Sequence, residues 1–576
     1  MAMTPKRILS LLLIPLTVVA SAACRGSSSM PPSAGPARGG ALVASLRSEP
    51  GNYNRYFEPS AAADLLALLT HARLVRVNRA TDTIEPALAE RWEQSADGSR
   101  LTLHLRRDVT FSDGVPFTSA DVLFSFAVAY DAPGSVIAEG ITVAGHRLEP
   151  TAPDSHTVVL QFPTAFAPGL RLLDNLPILP RHKLENAFKA GTTHQAWTPA
   201  TPLSEIVGLG PFVLSEHTAG QRLVFIRNPH YWRRGDDNAP LPYLERLTVE
   251  IIPDQNAEAL RLESGATDLM SNGDIRPDDY ARFKRLADQG RLRLVDDGIG
   301  LDPNLLWFNL KSAAGKGPRP WLRRKEFRQA LSYGVDRQAI ANSVYLGAAV
   351  PIYGPVTPRN ATWYSSSAPA YPRDLAKARQ LLAASGLTDR SGDGALEDAT
   401  GTPARFSILL QQGVTVRERT VAILQEQLRG LGLGVDVVGV DLGSLFKRWQ
   451  AGDYDTIFHG LQLSATDPAM NLDFWLSSGS AHVWNPGQPT PATEWERQID
   501  ELMRQQASAT TLPERQRLFS DVQGLFGEYL PALYFVAPRV TLALSPRVAN
   551  ANPAPQIPQV LWSADTLAVA ADAGAR

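Results

Sequence analysis

A second cysteine is absent from this 576-residue chain, which excludes an internal disulfide framework, a cysteine zinc site and thiol exchange within the chain. Stability must come from packing. A dense basic block is missing too. The formal net charge is −2, and the tightest run, Arg323-Arg324-Lys325, is followed at once by Glu326, so the basic stripe of a nucleic-acid surface is not provided. Beyond the N-terminus no apolar run is long enough to cross a bilayer. Catalytic signatures are lacking as well. There is no Gly-x-Ser-x-Gly, Gly315-Lys316-Gly317 has neither end of a phosphate loop, and the 10 histidines never adopt His-Glu-x-x-His spacing. No enzyme, cofactor or resident metal is expected.

What is present begins with the one cysteine. Lys6 and Arg7 precede an apolar stretch over 8–20, broken by Pro15, and Ser21-Ala22-Ala23-Cys24 is a small-residue cleavage site. This is export chemistry. It resembles a bacterial lipoprotein signal, although Ser21 stands where such signals usually carry Leu. The expectation is a signal over 1–24, lipid on Cys24, and a Ser/Pro/Gly/Ala-rich linker over 25–39 with little apolar surface to offset ordering entropy. The alternative is an ordinary cleaved signal followed by an incidental thiol.

The 44 prolines and 43 glycines imply many turns between short elements. Strand patterns occur at 40–47, 101–106, 223–226, 247–252 and 435–438, where apolar residues alternate or run briefly. Thr118 with Asp121 reads as a capping pair ahead of Val122, Leu123 and Phe126. Apolar spacing predicts a helix over 327–344, another over 376–385 stopped by Gly386, a third over 416–431, and a fourth opened by Thr511, Pro513 and Glu514. Helix followed by strand points to α/β layering.

Asp389-Arg-Ser-Gly-Asp393-Gly394 has the front half of a calcium loop, but Thr400 occupies the position of the closing bidentate Glu. A turn-rich excursion is the preferred reading. Carboxylate neighbours such as Glu397-Asp398 or Asp453 and Asp455 are read as solvated. Tyr53, Trp363, Tyr364 and Trp484 lie in Pro/Gly/Asn-rich segments, where large rings serve either ligand contact or packing.

Several segments together resemble the family 5 extracellular solute-binding proteins, receptors of peptide and nickel ABC importers. They are Leu88-Ala89-Glu90-Arg91-Trp92-Glu93 through Val109-Thr110-Phe111-Ser112-Asp113-Gly114-Val115-Pro116-Phe117-Thr118; Gly208-Leu209-Gly210-Pro211-Phe212 through Arg227-Asn228-Pro229-His230-Tyr231-Trp232; and Phe308-Asn309 with Phe327-Arg328-Gln329-Ala330-Leu331 to Val335-Asp336-Arg337. Gly354-Pro355-Val356, Gly452-Asp453-Tyr454-Asp455 and Asp467-Pro468 are weaker echoes. Gly208 and Gly210 suit close backbone passage.

The resemblance implies a periplasmic-binding-protein-like α/β fold with two lobes around a hinged cleft. Lobe I would be 40–80, 202–298 and 546–573, carrying an inserted domain over 81–201, and lobe II would be 299–545. It implies a monomeric, envelope-anchored receptor that closes on a peptide or similar polar solute and hands it to ABC permease subunits. An exported carboxylate-dependent hydrolase and a non-transport sensor of the same fold are the alternatives. In peptide-binding members a carboxylate just before Asp-Pro pairs with the ligand's amino terminus, and Ser464 stands at that place. Either Asp467 or Glu49 substitutes, or the ligand is not a simple peptide. The candidate ligand contacts are Glu49, Asn52, Tyr53, Trp363, Tyr364, Gln462, Ser464, Asp467 and Trp484.

Overall fold

Alternating apolar segments become sheet wherever one face can be buried. Leu42 and Ala44 of strand Ala41–Leu46 are fully buried and pair in parallel with Leu247 and Val249 of Arg246–Ile251. The computed structural model describes residues 38–143, 145–311, 319–461 and 467–571, so Cys24, the expected leader and linker, Gln462 and Ser464 lie outside the described residues. The first sheet has the order Phe212–Thr218, Arg222–Arg227, Arg246–Ile251, Ala41–Leu46, Leu269–Asp274, Val536–Leu544, Arg293–Ile299, with Ala349–Pro351 also pairing to Val536–Leu544.

That order moves one expected boundary. Val536–Leu544 falls in the span expected for lobe II, yet it pairs antiparallel with Leu269–Asp274 and Arg293–Ile299. Its alternation explains the placement, because Leu542 and Leu544 enter the large core of the first sheet while Ala543 enters the small core on the other face. The boundary expected at 80/81 also falls inside an element, the hairpin of Val75–Asn78 with Thr83–Pro86.

Between these parts lies a separate sheet, Ala89–Gln94, Arg100–Leu105, Thr157–Gln161, Glu149–Asp154. Leu101, Leu103 and Leu105 fill its buried face. Helix Ser119–Asp131 starts at Thr118, and the Asp121 carboxylate accepts the Thr118 backbone N–H at 2.9 Å, as the capping pattern requires.

The second lobe is built on the sheet Gly434–Val440, Arg405–Gln411, Thr456–Gly460, Asn304–Phe308, Ala532–Tyr534. Its strand Asn304–Phe308 is covered on both sides: Leu306 and Phe308 enter one core with Phe327 and Phe406, whereas Leu305 and Trp307 enter the other with Trp475 and Trp484. The helix expected over 327–344 is two helices, Lys325–Gly334 and Arg337–Tyr345. They break where a Cβ on Gly334 would lie 2.5 Å from Leu431 and where Asp336 caps the second helix by accepting the Ala339 N–H at 2.9 Å. The loop from Asp389 is a turn excursion, since the Glu397 carboxylate accepts from Arg390 N and Ser391 Oγ at 2.7 Å each. Among the described residues no cluster of metal-ligating side chains occurs.

Two neighbouring segments join the sheets. Arg293–Ile299 pairs with Val536–Leu544 in the first, Asn304–Phe308 with Ala532–Tyr534 in the second, and Gly300 N donates to Pro538 O at 2.7 Å between them. Ala349–Pro351, which follows helix Arg337–Tyr345 of the second lobe, also pairs with Val536–Leu544, so a third segment runs alongside this crossing.

Candidate functional site

The inserted domain and the second lobe touch. Ala167 N donates to Ala507 O at 2.7 Å. Ala469 and Ala507 of the second lobe are buried in the same core cluster as the inserted domain. Beside this contact is a cleft of about 680 Å³, within the usual range of small-ligand sites. One wall comes from the inserted domain and carries Glu139, Phe166 and Asn175. The opposite wall follows Pro468 directly, with Met470, Asp473 and Ser480, and helix Glu494–Ser508 adds Arg504. The Arg504 guanidinium is largely exposed and bonds Asp500 at 3.2 Å, while the other Asp500 oxygen accepts from Ser477 N and Oγ. The cleft therefore offers an apolar floor, two exposed carboxylates and one anchored guanidinium, a set suited to orienting a solute of mixed polarity. Gly479 keeps this wall tight, because a Cβ there would lie 2.0 Å from Asp473 O.

The residues expected from sequence sort into three places. Glu49, Asn52 and Tyr53 come together on the loop after the first strand. Tyr53 is buried and its hydroxyl bonds His217 Nδ1, whose Nε2 lies 3.4 Å from Glu49 Oε2. Glu49 also accepts Gly220 N–H at 2.7 Å, and that bond holds its carboxyl below the usual range, with burial opposing and His217 assisting. Burial, then the Glu49 charge, pushes the Tyr53 phenol up. Asn52 Nδ2 donates to His194 O at 2.8 Å. This chain of bonds fastens the loop to strand Phe212–Thr218, away from the residues lining the 680 Å³ cleft.

Trp363 and Asp467 meet through Arg515. Its Nη1 and Nη2 donate to the two Asp467 oxygens at 2.7 and 2.5 Å, and its guanidinium lies 5.0 Å from the Trp363 ring centre. Asp467 is 5% exposed and also accepts Ala469 N at 3.0 Å, so this carboxylate is engaged within the protein. Tyr364 is 44% exposed, outside the residues lining the cleft. Trp484 is fully buried, with Nε1 donating to Glu496 Oε1 at 3.1 Å and its ring packed on Phe474 and Phe526. Those partners place it in the second lobe's core.

Glu139, Asn175, Asp473 and Arg504 were not legible as a set, because nothing in their spacing links them. The one usable signal was that 469–480 follows Asp467-Pro468 without interruption.

The family model described as bacterial extracellular solute-binding proteins, family 5 Middle, matches residues 83–482. A probable ABC transporter-binding protein of Deinococcus radiodurans is 25% identical over 523 residues, 87% of each chain. The oligopeptide-binding protein AppA of Bacillus subtilis is 25% identical over 535 residues, 91% of each chain. The fold is similar to that of NikA from Brucella suis in complex with Fe(III)-EDTA, with a TM-score of 0.75 at 23% identity, covering 92% of this chain and 100% of that one.

Proposed function

The chain belongs to the bacterial extracellular solute-binding proteins of family 5, and on that premise we propose that it is the capturing receptor of an ABC importer, taking a peptide or similar polar oligomeric solute between the inserted domain and the second lobe. The observation that carries this reading is the cleft of about 680 Å³ walled from both sides, with Glu139 on one wall and Asp473 and Arg504 on the other. A solute touching both walls favours the touching arrangement over a parted one by its extra contacts alone, so rotation about the segments that join the two sheets would couple capture to shape. No bond is made or broken in this cycle. The closed face is what the permease subunits read, and lipid on Cys24 holds the monomer at the membrane.

With Asp467 engaged by Arg515, the ammonium of a peptide is met by Glu139 or Asp473 and its carboxylate by Arg504. Asp467 is a positioning residue that sets the start of the second wall.

The test is native mass spectrometry of the protein purified from peptide-rich medium, followed by identification of released molecules. A ladder of short peptides that raises thermal stability on re-addition supports the reading. A protein that ignores peptide mixtures and is stabilised only by a sugar or chelate overturns the peptide class.

A further inference from the structure

A second cavity, of about 70 Å³, is lined by the first lobe together with Ala87 and Asp174 of the inserted domain and shares no lining residue with the interlobe cleft. Its lining brings together the end of helix Ala61–Thr70, the strand Val75–Asn78, the turn through Trp232 and the C-terminal segment Leu561–Thr566. Arg73, Arg76, Arg79 and Arg233 line it against only Asp174 and Asp565. Asp565 serves both Arg76, at 3.4 Å, and Arg233, and also accepts the Tyr231 hydroxyl at 3.0 Å. Among the described residues, neither Arg73 nor Arg79 has a carboxylate within ion-pair distance. Arg79 instead donates to Ile557 O at 2.7 Å. By count, the four guanidinium groups therefore exceed the two carboxylates by two charges around a cavity large enough for a small ion, with Asp174 and Asp64 acting on Arg79 only through space.

Three polar atoms at the same cavity are buried without partners: Arg73 Nε, Trp232 Nε1 and His71 Nε2. Unpaired buried polar atoms are rare and costly, which points to an occupant that supplies their bonds. The hydrogen-bond network assigns the third atom's role. Thr70 Oγ1 donates to Leu66 O at 2.8 Å and so accepts from His71 Nδ1–H, also at 2.8 Å. That leaves Nε2 of the 4% exposed His71 as a bare acceptor. Beside its two carboxylates, the cavity thus presents two unpartnered N–H donors, two excess positive charges and one unpartnered acceptor.

We propose that this cavity is a binding site for a small protonated oxyanion of the hydrogenphosphate class, whose oxygens accept from Arg73 and Trp232 and whose O–H donates to His71 Nε2. Sulfate carries the charge but has no hydrogen to donate, so it leaves Nε2 unpaired and binds roughly ten-fold more weakly near neutral pH. The anion ties segments far apart in sequence, and its binding is independent of the solute captured in the cleft.

The experiment is equilibrium dialysis of the full chain against radiolabelled inorganic phosphate at about 0.15 M ionic strength. The expected result is one phosphate per chain, displaced by sulfate only at roughly ten-fold higher concentration, lost in Arg73→Gln and retained in Arg504→Gln. No saturable binding, equal competition by sulfate, or loss in Arg504→Gln alone would overturn it. Should Arg73→Gln not fold, anomalous scattering from arsenate-soaked crystals of the wild-type chain decides: a peak between Arg73 and His71 upholds the site, and its absence rejects it.

Discussion

Asp467 and Arg515 form a buried two-point ion pair, with nitrogen-to-oxygen distances of 2.7 and 2.5 Å. The same guanidinium covers Trp363, so a single residue of helix Leu512–Tyr529 binds two side chains whose sequence neighbourhoods suggested ligand contact.

Breaking this pair leaves a buried charge without its partner, a loss of about 3–5 kcal/mol. Asp467→Asn should lower the unfolding free energy by about that range in urea denaturation. The double variant Asp467→Leu with Arg515→Met should recover most of the loss. A variant of normal stability that loses only ligand affinity would refute the structural role.

Backbone passage at Gly208 and Gly210 admits no side chain. A Cβ on Gly208 would lie 1.9 Å from Thr70 O, and one on Gly210 would lie 2.4 Å from Thr70 C. Gly208→Ala should therefore cost at least about 3 kcal/mol, at or above the usual overpacking range. Gly220→Ala, which meets nothing within 4 Å but has φ +67°, should cost only about 1 kcal/mol. Equal melting temperatures for the two variants would contradict this.

In the cleft, Glu139, Asp473 and Arg504 are exposed, so replacing them should spare stability and change binding. Isothermal titration with the solute recovered by mass spectrometry should show at least ten-fold weaker binding in Arg504→Ala. Glu139→Gln with Asp473→Asn should do the same, each with a melting temperature near wild type. Unchanged affinity in both would move the site elsewhere.

Acid sensitivity follows from His71. Burial, assisted by the Arg73 charge, pulls its imidazole down from 6.5 to about 3. The unfolded chain therefore takes up the proton first. The stability contributed by neutral His71 is fully present above pH 6.5 and is lost as pH falls toward about 3, at up to about 1.4 kcal/mol per pH unit. His459, which accepts from Arg417 Nη1 at 2.8 Å and is pulled down to about 4 by burial and then by Arg417, acts in the same direction. Denaturation curves between neutral and mildly acid pH should be flatter for His71→Leu. An unchanged slope would refute the assignment.

How much was legible depended on how local the cause was. The strands at 101–106, 223–226 and 247–252, the Thr118 and Asp121 cap and the close passage at Gly208 and Gly210 rest on neighbouring residues, and the structure contains each of them. Val536–Leu544 lies in the span expected for the second lobe yet pairs with strands of the first sheet, because a strand's partners are not encoded in its own alternation. For the aromatics, sequence left ligand contact and packing both open for a similar reason. A ring in a Pro/Gly-rich segment looks exposed along the chain, yet Trp484 lies beneath Phe474 and Phe526.

By itself, then, the sequence determined the α/β layering, the family and the residue types available for capture, since these follow from periodicity, capping and motifs carried in order along the chain. Only the tertiary structure decided which carboxylate is free. Asp467 is neutralised by a guanidinium 48 residues away, while Glu139, Asp473 and Arg504 face one cleft because two walls distant in sequence meet there. Charge compensation and cleft shape act through space, and distance in sequence does not report them.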